Sequence, residues 1–133
     1  MSGMALRRAA PLACTGQLQE LAFDRMLTEQ TLEAALPLFA GHYPGRPIFP
    51  GVCYVEAALQ AVERGVRLAG GGPVRMAELA SVRLLAAAGP GAQLRCELKL
   101  LDAPLTLARS RWQISCAVDG QPAAVIRLTV EAR

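Results

Sequence analysis

Gly41-His42-Tyr43-Pro44-Gly45-Arg46-Pro47-Ile48-Phe49-Pro50-Gly51-Val52 is the stretch on which the reading of this chain turns. Pro44, Pro47 and Pro50 hold its backbone extended and stiff, so it cannot be helix. Helix signals begin directly after it. Val52, Val55, Leu59, Val62 and Val66 recur at spacings of three and four, and Ala57, Ala58 and Ala61 fill more of the circumference. A helix over Val52–Leu68 would be about 25 Å long. It would be apolar around most of its surface and therefore buried. Gly70-Gly71-Gly72-Pro73 supplies its stop.

Beyond that stop the period changes to two. Met76–Leu85 is compatible with a strand. Leu94, Cys96, Leu98 and Leu100 alternate with Arg95, Glu97 and Lys99, and Trp112, Ile114, Cys116 and Val118 with Arg111, Gln113 and Ser115. Asp119-Gly120 is a tight hairpin turn leading into Ala124–Glu131, which alternates likewise. Upstream, Leu18–Phe23 is compatible with a first strand, and Thr28–Phe39 has too little pattern to assign. Residues 1–16 read as loosely structured. One buried helix preceding at least three antiparallel strands predicts a single α+β domain over 1–133, its sheet curled around the helix with one face in water.

Composition narrows the function. Hydrophobic residues make up 53% of the 133-residue chain and aromatics 5%, so the core is mostly aliphatic. The formal charge of +3, carried by thirteen Arg and Lys99, is too small to argue for nucleic acid, though it suits weak attraction to an acidic protein surface. Val52–Leu68 carries Glu56, Gln60, Glu63, Arg64 and Arg67 and does not read as a membrane span, and no signal peptide is legible. Cys14, Cys53, Cys96 and Cys116 lack close spacing, which predicts reduced, mostly buried thiols in a cytoplasmic protein and no zinc knuckle or disulfide framework.

His42 is the only histidine, so a His-pair zinc site is impossible. No GxSxG elbow, P-loop or GxGxxG fingerprint is present, and neither a cofactor nor a metal is expected. What remains is His42 in a rigid loop, a helix start nine residues on, and Glu56 inside the helix. A buried carboxyl without a cationic partner tends to hold its proton, which makes Glu56 a candidate acid or hydrogen-bond donor. The free N–H groups at Gly51 and Val52 favour developing negative charge. A base, an N–H donor and an acid suit elimination of water from a 3-hydroxyacyl thioester.

The Gly41–Val52 run, followed by Val55-Glu56-Ala57 and Gln60-Ala61, resembles the signature of bacterial 3-hydroxyacyl-acyl-carrier-protein dehydratases of fatty-acid synthesis. His42 precedes Glu56 by fourteen residues, the family's spacing of catalytic His and acid, and the resemblance runs from about Leu36 to Arg133. It implies a hot-dog fold, a long central helix wrapped by a curved antiparallel sheet, and at least a dimer in which His and acid come from different subunits. It implies His42 as main acid/base, Glu56 as its partner from the other chain, and Gly51 or Val52 as backbone oxyanion donor. Gln60, one turn past Glu56, takes an orienting role, and Tyr43, Phe49 and Pro50 line the acyl tunnel or dimer seam. The implied partners are acyl carrier protein, bearing the substrate on 4′-phosphopantetheine, and a second hot-dog subunit, identical or different. Pro90-Gly91-Ala92 and Leu85-Ala86-Ala87 depart from the family's usual residues, and its N-terminal His-Arg pair is not visible in residues 1–25. These departures suit a divergent branch serving a polyketide or aryl-polyene assembly line. Two other readings stay open: a subunit of a heteromeric dehydratase that binds acyl carrier protein and supplies only part of the site, and a hot-dog thioesterase.

Overall fold

A computed structural model of the chain describes residues 18–22, 24–31, 51–86, 91–102 and 108–133. The elements are β1 (Leu18–Ala22), β2 (Arg25–Thr31), α1 (Gly51–Leu68), β3 (Val74–Leu84), β4 (Gln93–Leu100), β5 (Arg109–Val118) and β6 (Gln121–Ala132). Six strands form one antiparallel sheet in the order β1-β2-β4-β5-β6-β3, and α1 packs on one face of it. The expectation for residues 1–16 lies outside the described residues, as does Phe23.

The register lines the inner face in transverse rows. Met26, Leu98, Ile114 and Ile126 form one row across β2, β4, β5 and β6, and Thr28, Cys96, Cys116 and Ala124 form the next. Leu100, Trp112 and Leu128 form a third. All of these are buried, while Arg95, Lys99, Arg111 and Arg127 alternate onto the outer face and are exposed. This is the one-sided sheet that the period of two demands. The Trp112 indole N–H donates to Ser110 Oγ at 2.8 Å, so the largest core side chain keeps its polar atom satisfied.

The helix turns only part of its valine line inward. Cys53, Tyr54, Ala57, Ala58, Ala61, Val62, Gly65 and Val66 are buried, whereas Val55 and Leu59 are only partly buried and share their face with Glu56, Gln60, Glu63 and Arg64. Small residues let the helix approach closely. A Cβ on Gly65 would stand 2.8 Å from Met26 Sδ, inside van der Waals contact. The glycine run ends the helix as expected: Gly70, at φ 95°, donates to Arg67 O at 3.0 Å and Gly71 to Val66 O at 2.9 Å, the paired bonds of a Schellman stop. Asp119 and Gly120 both take positive φ, 48° and 82°, the type I′ geometry of a two-residue hairpin.

Two strands depart from the sequence reading. β2 lies partly in the stretch left unassigned, because polar Thr28 and Gln30 take inward, buried positions and blur its alternation. β3 is exposed along its whole length except Val74. Met76, Leu79, Val82 and Leu84 pair with Val130, Leu128, Ile126 and Ala124 of β6. Those partners are buried, yet the four β3 side chains remain exposed.

Gly65→Val should destabilise the chain by about 1–3 kcal/mol, because the added atoms meet Met26 in a packed seam. Urea unfolding with an unchanged m-value measures this, and a loss below about 0.5 kcal/mol would contradict the close approach.

Candidate active site

The described part of the site is the first half of α1. Gly51 and Val52 open the helix, where an α-helix leaves its leading N–H groups without partners inside the helix. Glu56 follows in the second turn on the half-buried face. Gln60 Nε2 donates to Glu56 Oε2 at 2.8 Å, a contact between side chains one turn apart. The bond fixes the carboxyl's rotamer and commits one of its oxygens as an acceptor. His42, Tyr43, Phe49 and Pro50 lie outside the described residues. The structure therefore brings Glu56 and Gln60 together beside the helix start that carries Gly51 and Val52.

Two neighbours were not assigned a part in the site. Cys53, three residues before Glu56, is 2% exposed. Burial, then the charge that the Glu56 carboxyl carries where a thiol would ionise, pushes its thiol above the ordinary 9.0, so it is a packed, protonated group and not an activated nucleophile. Tyr54 is 1% exposed, and its hydroxyl donates to Ala86 O at 3.2 Å. That bond fastens the helix start to the chain just beyond β3, where Leu85 and Ala86 N–H both bond to Ala123 O. Burial first, then the nearby Cys116 and Cys96, pushes the Tyr54 phenol up to about 12. Tyr54 could have been suspected from its sequence, as a phenol among alanines on a helix too apolar to be exposed. Its carbonyl partner, thirty-two residues away, could not.

Among the described residues, no cluster of His, Cys, Asp and Glu could hold a metal ion, and no helix is long and apolar enough to cross a membrane.

With this geometry in place, comparison with known proteins defines the class. The pattern of the ApeI-like family, described as ApeI dehydratase, matches residues 19–120. The chain belongs to this dehydratase family. The match opens well before Leu36, so the likeness extends through β1 and β2, upstream of where the sequence motif is legible. The 3-hydroxyacyl-acyl-carrier-protein dehydratase FabZ of Rhizorhabdus wittichii is 35% identical over 100 residues, covering 71% of this chain and 64% of that protein. FabZ of Symbiobacterium thermophilum is 37% identical over 81 residues, covering 58% of this chain and 56% of that protein. The chain thus spans less than two thirds of the length of these curated relatives.

Solved structures place the fold. The dehydratase heterocomplex ApeI:P from Xenorhabdus doucetiae superposes with a TM-score of 0.73 at 15% identity, covering 95% of this chain and 86% of that one. A mutant of the thioesterase PA1618 from Pseudomonas aeruginosa gives 0.65 at 15% identity, covering 89% and 81%. The chain has the hot-dog fold expected from the motif. That fold is shared by dehydratases and thioesterases, so it does not select the reaction.

A phenol whose folded pKa lies above its unfolded value contributes stability that is present below the unfolded pKa and lost as pH rises toward the folded one. For Tyr54 the window runs from 10.0 to about 12. Unfolding free energy from urea melts should fall across that window, and Tyr54→Phe should flatten the fall. An unchanged slope in the variant would place the phenol in water.

Proposed function

We propose that the chain eliminates water from a 3-hydroxyacyl thioester carried on acyl carrier protein, giving the trans-2-enoyl thioester. Membership of the ApeI-like dehydratase family supports the reaction class. The observation that carries the reading is Glu56, held by Gln60 on a half-buried helix face beside a helix start, fourteen residues after the only histidine. No other carboxylate of this helix is so close to its N-terminus.

In this mechanism neutral His42 takes the proton from C2. The electrons of that C–H bond become the C2–C3 double bond, and the C3–O bond breaks. The Glu56 carboxyl gives its proton to the departing hydroxyl, which leaves as water. The Gly51 and Val52 N–H groups face the thioester oxygen as negative charge develops on it. Tyr43, Phe49 and Pro50 are assigned to the acyl tunnel. The sequence departures around Leu85-Ala86-Ala87 and Pro90-Gly91-Ala92 favour a polyketide or polyene assembly line over primary fatty-acid synthesis.

The working unit in this reading is a dimer. β3 is a sheet edge with Met76, Leu79, Val82 and Leu84 exposed, and such an edge is an aggregation hazard unless paired or covered. A second subunit there would also cover the half-buried α1 face and let His42 of one chain meet Glu56 of the other. The ApeI:P heterocomplex favours a second form of the proposal, in which that subunit is a different hot-dog chain and this one supplies only part of the site.

The test incubates the purified chain with a short 3-hydroxyacyl chain on acyl carrier protein and follows the acyl group by mass spectrometry. Loss of one water supports the proposal, whereas release of free thiol would establish a thioesterase. His42→Ala and Glu56→Gln should each lower the rate at least about 100-fold while leaving the subunit folded and associated. Near-normal turnover in either variant would overturn its assignment. Mixing the two variants should restore part of the rate if each site is built from two chains. An inactive wild-type chain that gains activity with a neighbouring hot-dog protein would select the heteromeric form.

A further inference from the structure

Cys96 and Cys116 stand directly opposite each other on β4 and β5. Both are 2% exposed, both face the helix side of the sheet, and their Sγ atoms are 3.8 Å apart and share a hydrogen bond. Cα atoms of directly opposed antiparallel residues are about 4.5–5.5 Å apart, within the range of about 4.4–6.8 Å that a disulfide spans. The sulfurs need only approach from contact distance to about 2.05 Å, which side-chain rotation supplies without moving the strands. Wide sequence spacing argues against a disulfide, but the register removes that objection.

We propose that Cys96 and Cys116 are a redox-active dithiol that closes reversibly to a cross-strand disulfide, with a small hydroperoxide as oxidant. The Cys96 thiolate attacks a peroxide oxygen. The O–O bond breaks, Cys96 becomes a sulfenic acid, and hydroxide leaves and takes up the thiol's proton as water. The Cys116 sulfur then displaces the hydroxyl on Cys96. The S–S bond forms, and the hydroxyl leaves with the Cys116 proton as a second water. One hydrogen peroxide is reduced to two waters while two thiols are oxidised, and a small dithiol reverses the closure by exchange.

Two features of the site support this order. Cys96 is held below the ordinary thiol range, first by the hydrogen bond from Cys116 and also by one from Thr28, so it is the readier thiolate. That same bond, then burial, pushes Cys116 up, so it keeps its proton until the second step. Cys53, beside Glu56, has no such neighbour among the described cysteines. Closure would tie β4 to β5 beneath Tyr54, and so beneath the helix turn that leads to Glu56.

The experiment treats the folded chain with hydrogen peroxide at neutral pH, blocks remaining thiols under denaturing conditions, digests with trypsin without reduction and maps the peptides. Cleavage after Arg95, Lys99, Arg111 and Arg127 isolates the cysteines on peptides 96–99 and 112–127. The expected product is these two peptides joined, Cys53 recovered as a blocked thiol, and both peptides released by dithiothreitol. A chain oxidised in urea should give a mixture of pairings instead. Recovery of 96–99 and 112–127 as separate blocked or sulfonated peptides would overturn the proposal. So would a folded chain whose pairings match the urea mixture.

Discussion

The fold and its site depend on burying α1 against the inner face of the sheet. The helix has no fully polar side, and most of the residues it turns inward are small or sulfur-bearing, Cys53, Ala57, Ala58, Ala61 and Gly65, set beside the larger Tyr54, Val62 and Val66. Larger residues there would hold the helix away from Ile114, Ile126 and Leu98, which are 0% exposed. Interiors pack near crystal density, so volume saved on the helix is taken up by the sheet's Trp112 and its branched neighbours. The same constraint fixes the helix's rotation. With Cys53, Ala57 and Ala61 turned inward, Glu56 and Gln60 must lie on the adjoining, half-buried face, where polar groups can hold one another at modest desolvation cost.

The sheet is wider than the helix it packs on. Leu79, Val82 and Leu84 of β3 align with buried residues of β6, so the apolar inner rows run past the cover that α1 provides. Among the described residues this strip lies exposed on the edge strand of the sheet, a combination that natural proteins usually pair or cover. On the proposed reading, one event covers both incomplete surfaces, the β3 edge and the half-buried helix face. The functional site then sits where the single chain is least finished. Tyr54 connects the two regions, since its hydroxyl binds the backbone just past β3 from the helix turn next to Glu56.

Much of this was legible in sequence because it rests on local rules. The prolines and glycines bracket the helix, and alternation in β4, β5 and β6 survives intact because their inward residues are apolar. β2 escaped because Thr28 and Gln30 go inward, Thr28 meeting Cys96, and a polar residue on the buried face looks like a break in pattern. Val55 and Leu59 fit the helical period as well as Cys53 and Ala57 do, and only the sheet's shape decides which line turns in. The exposure of β3 could not be read from one strand, since it depends on how far a helix elsewhere in the chain extends. For the site, the spacing of His42 and Glu56 and the i, i+4 relation of Gln60 were visible. The long-range partners of Tyr54 and Cys96 were not, because strand register is a property of the assembled sheet.

Register also explains why chemistry can arise in a core that needed only packing. Cys96 and Cys116 are small apolar fillers by volume, and either could be Val or Ala without offending the period of two. Placing both in one transverse row, between Thr28 and Ala124, makes the two thiols hydrogen-bonded neighbours. A shift of one residue between β4 and β5 would turn one of them to the outer face and separate the pair. The alternation of apolar residues that seats Trp112 and Ile114 under the helix forbids that shift. Burial of α1 therefore sets the sulfur geometry as firmly as it sets the face on which Glu56 stands.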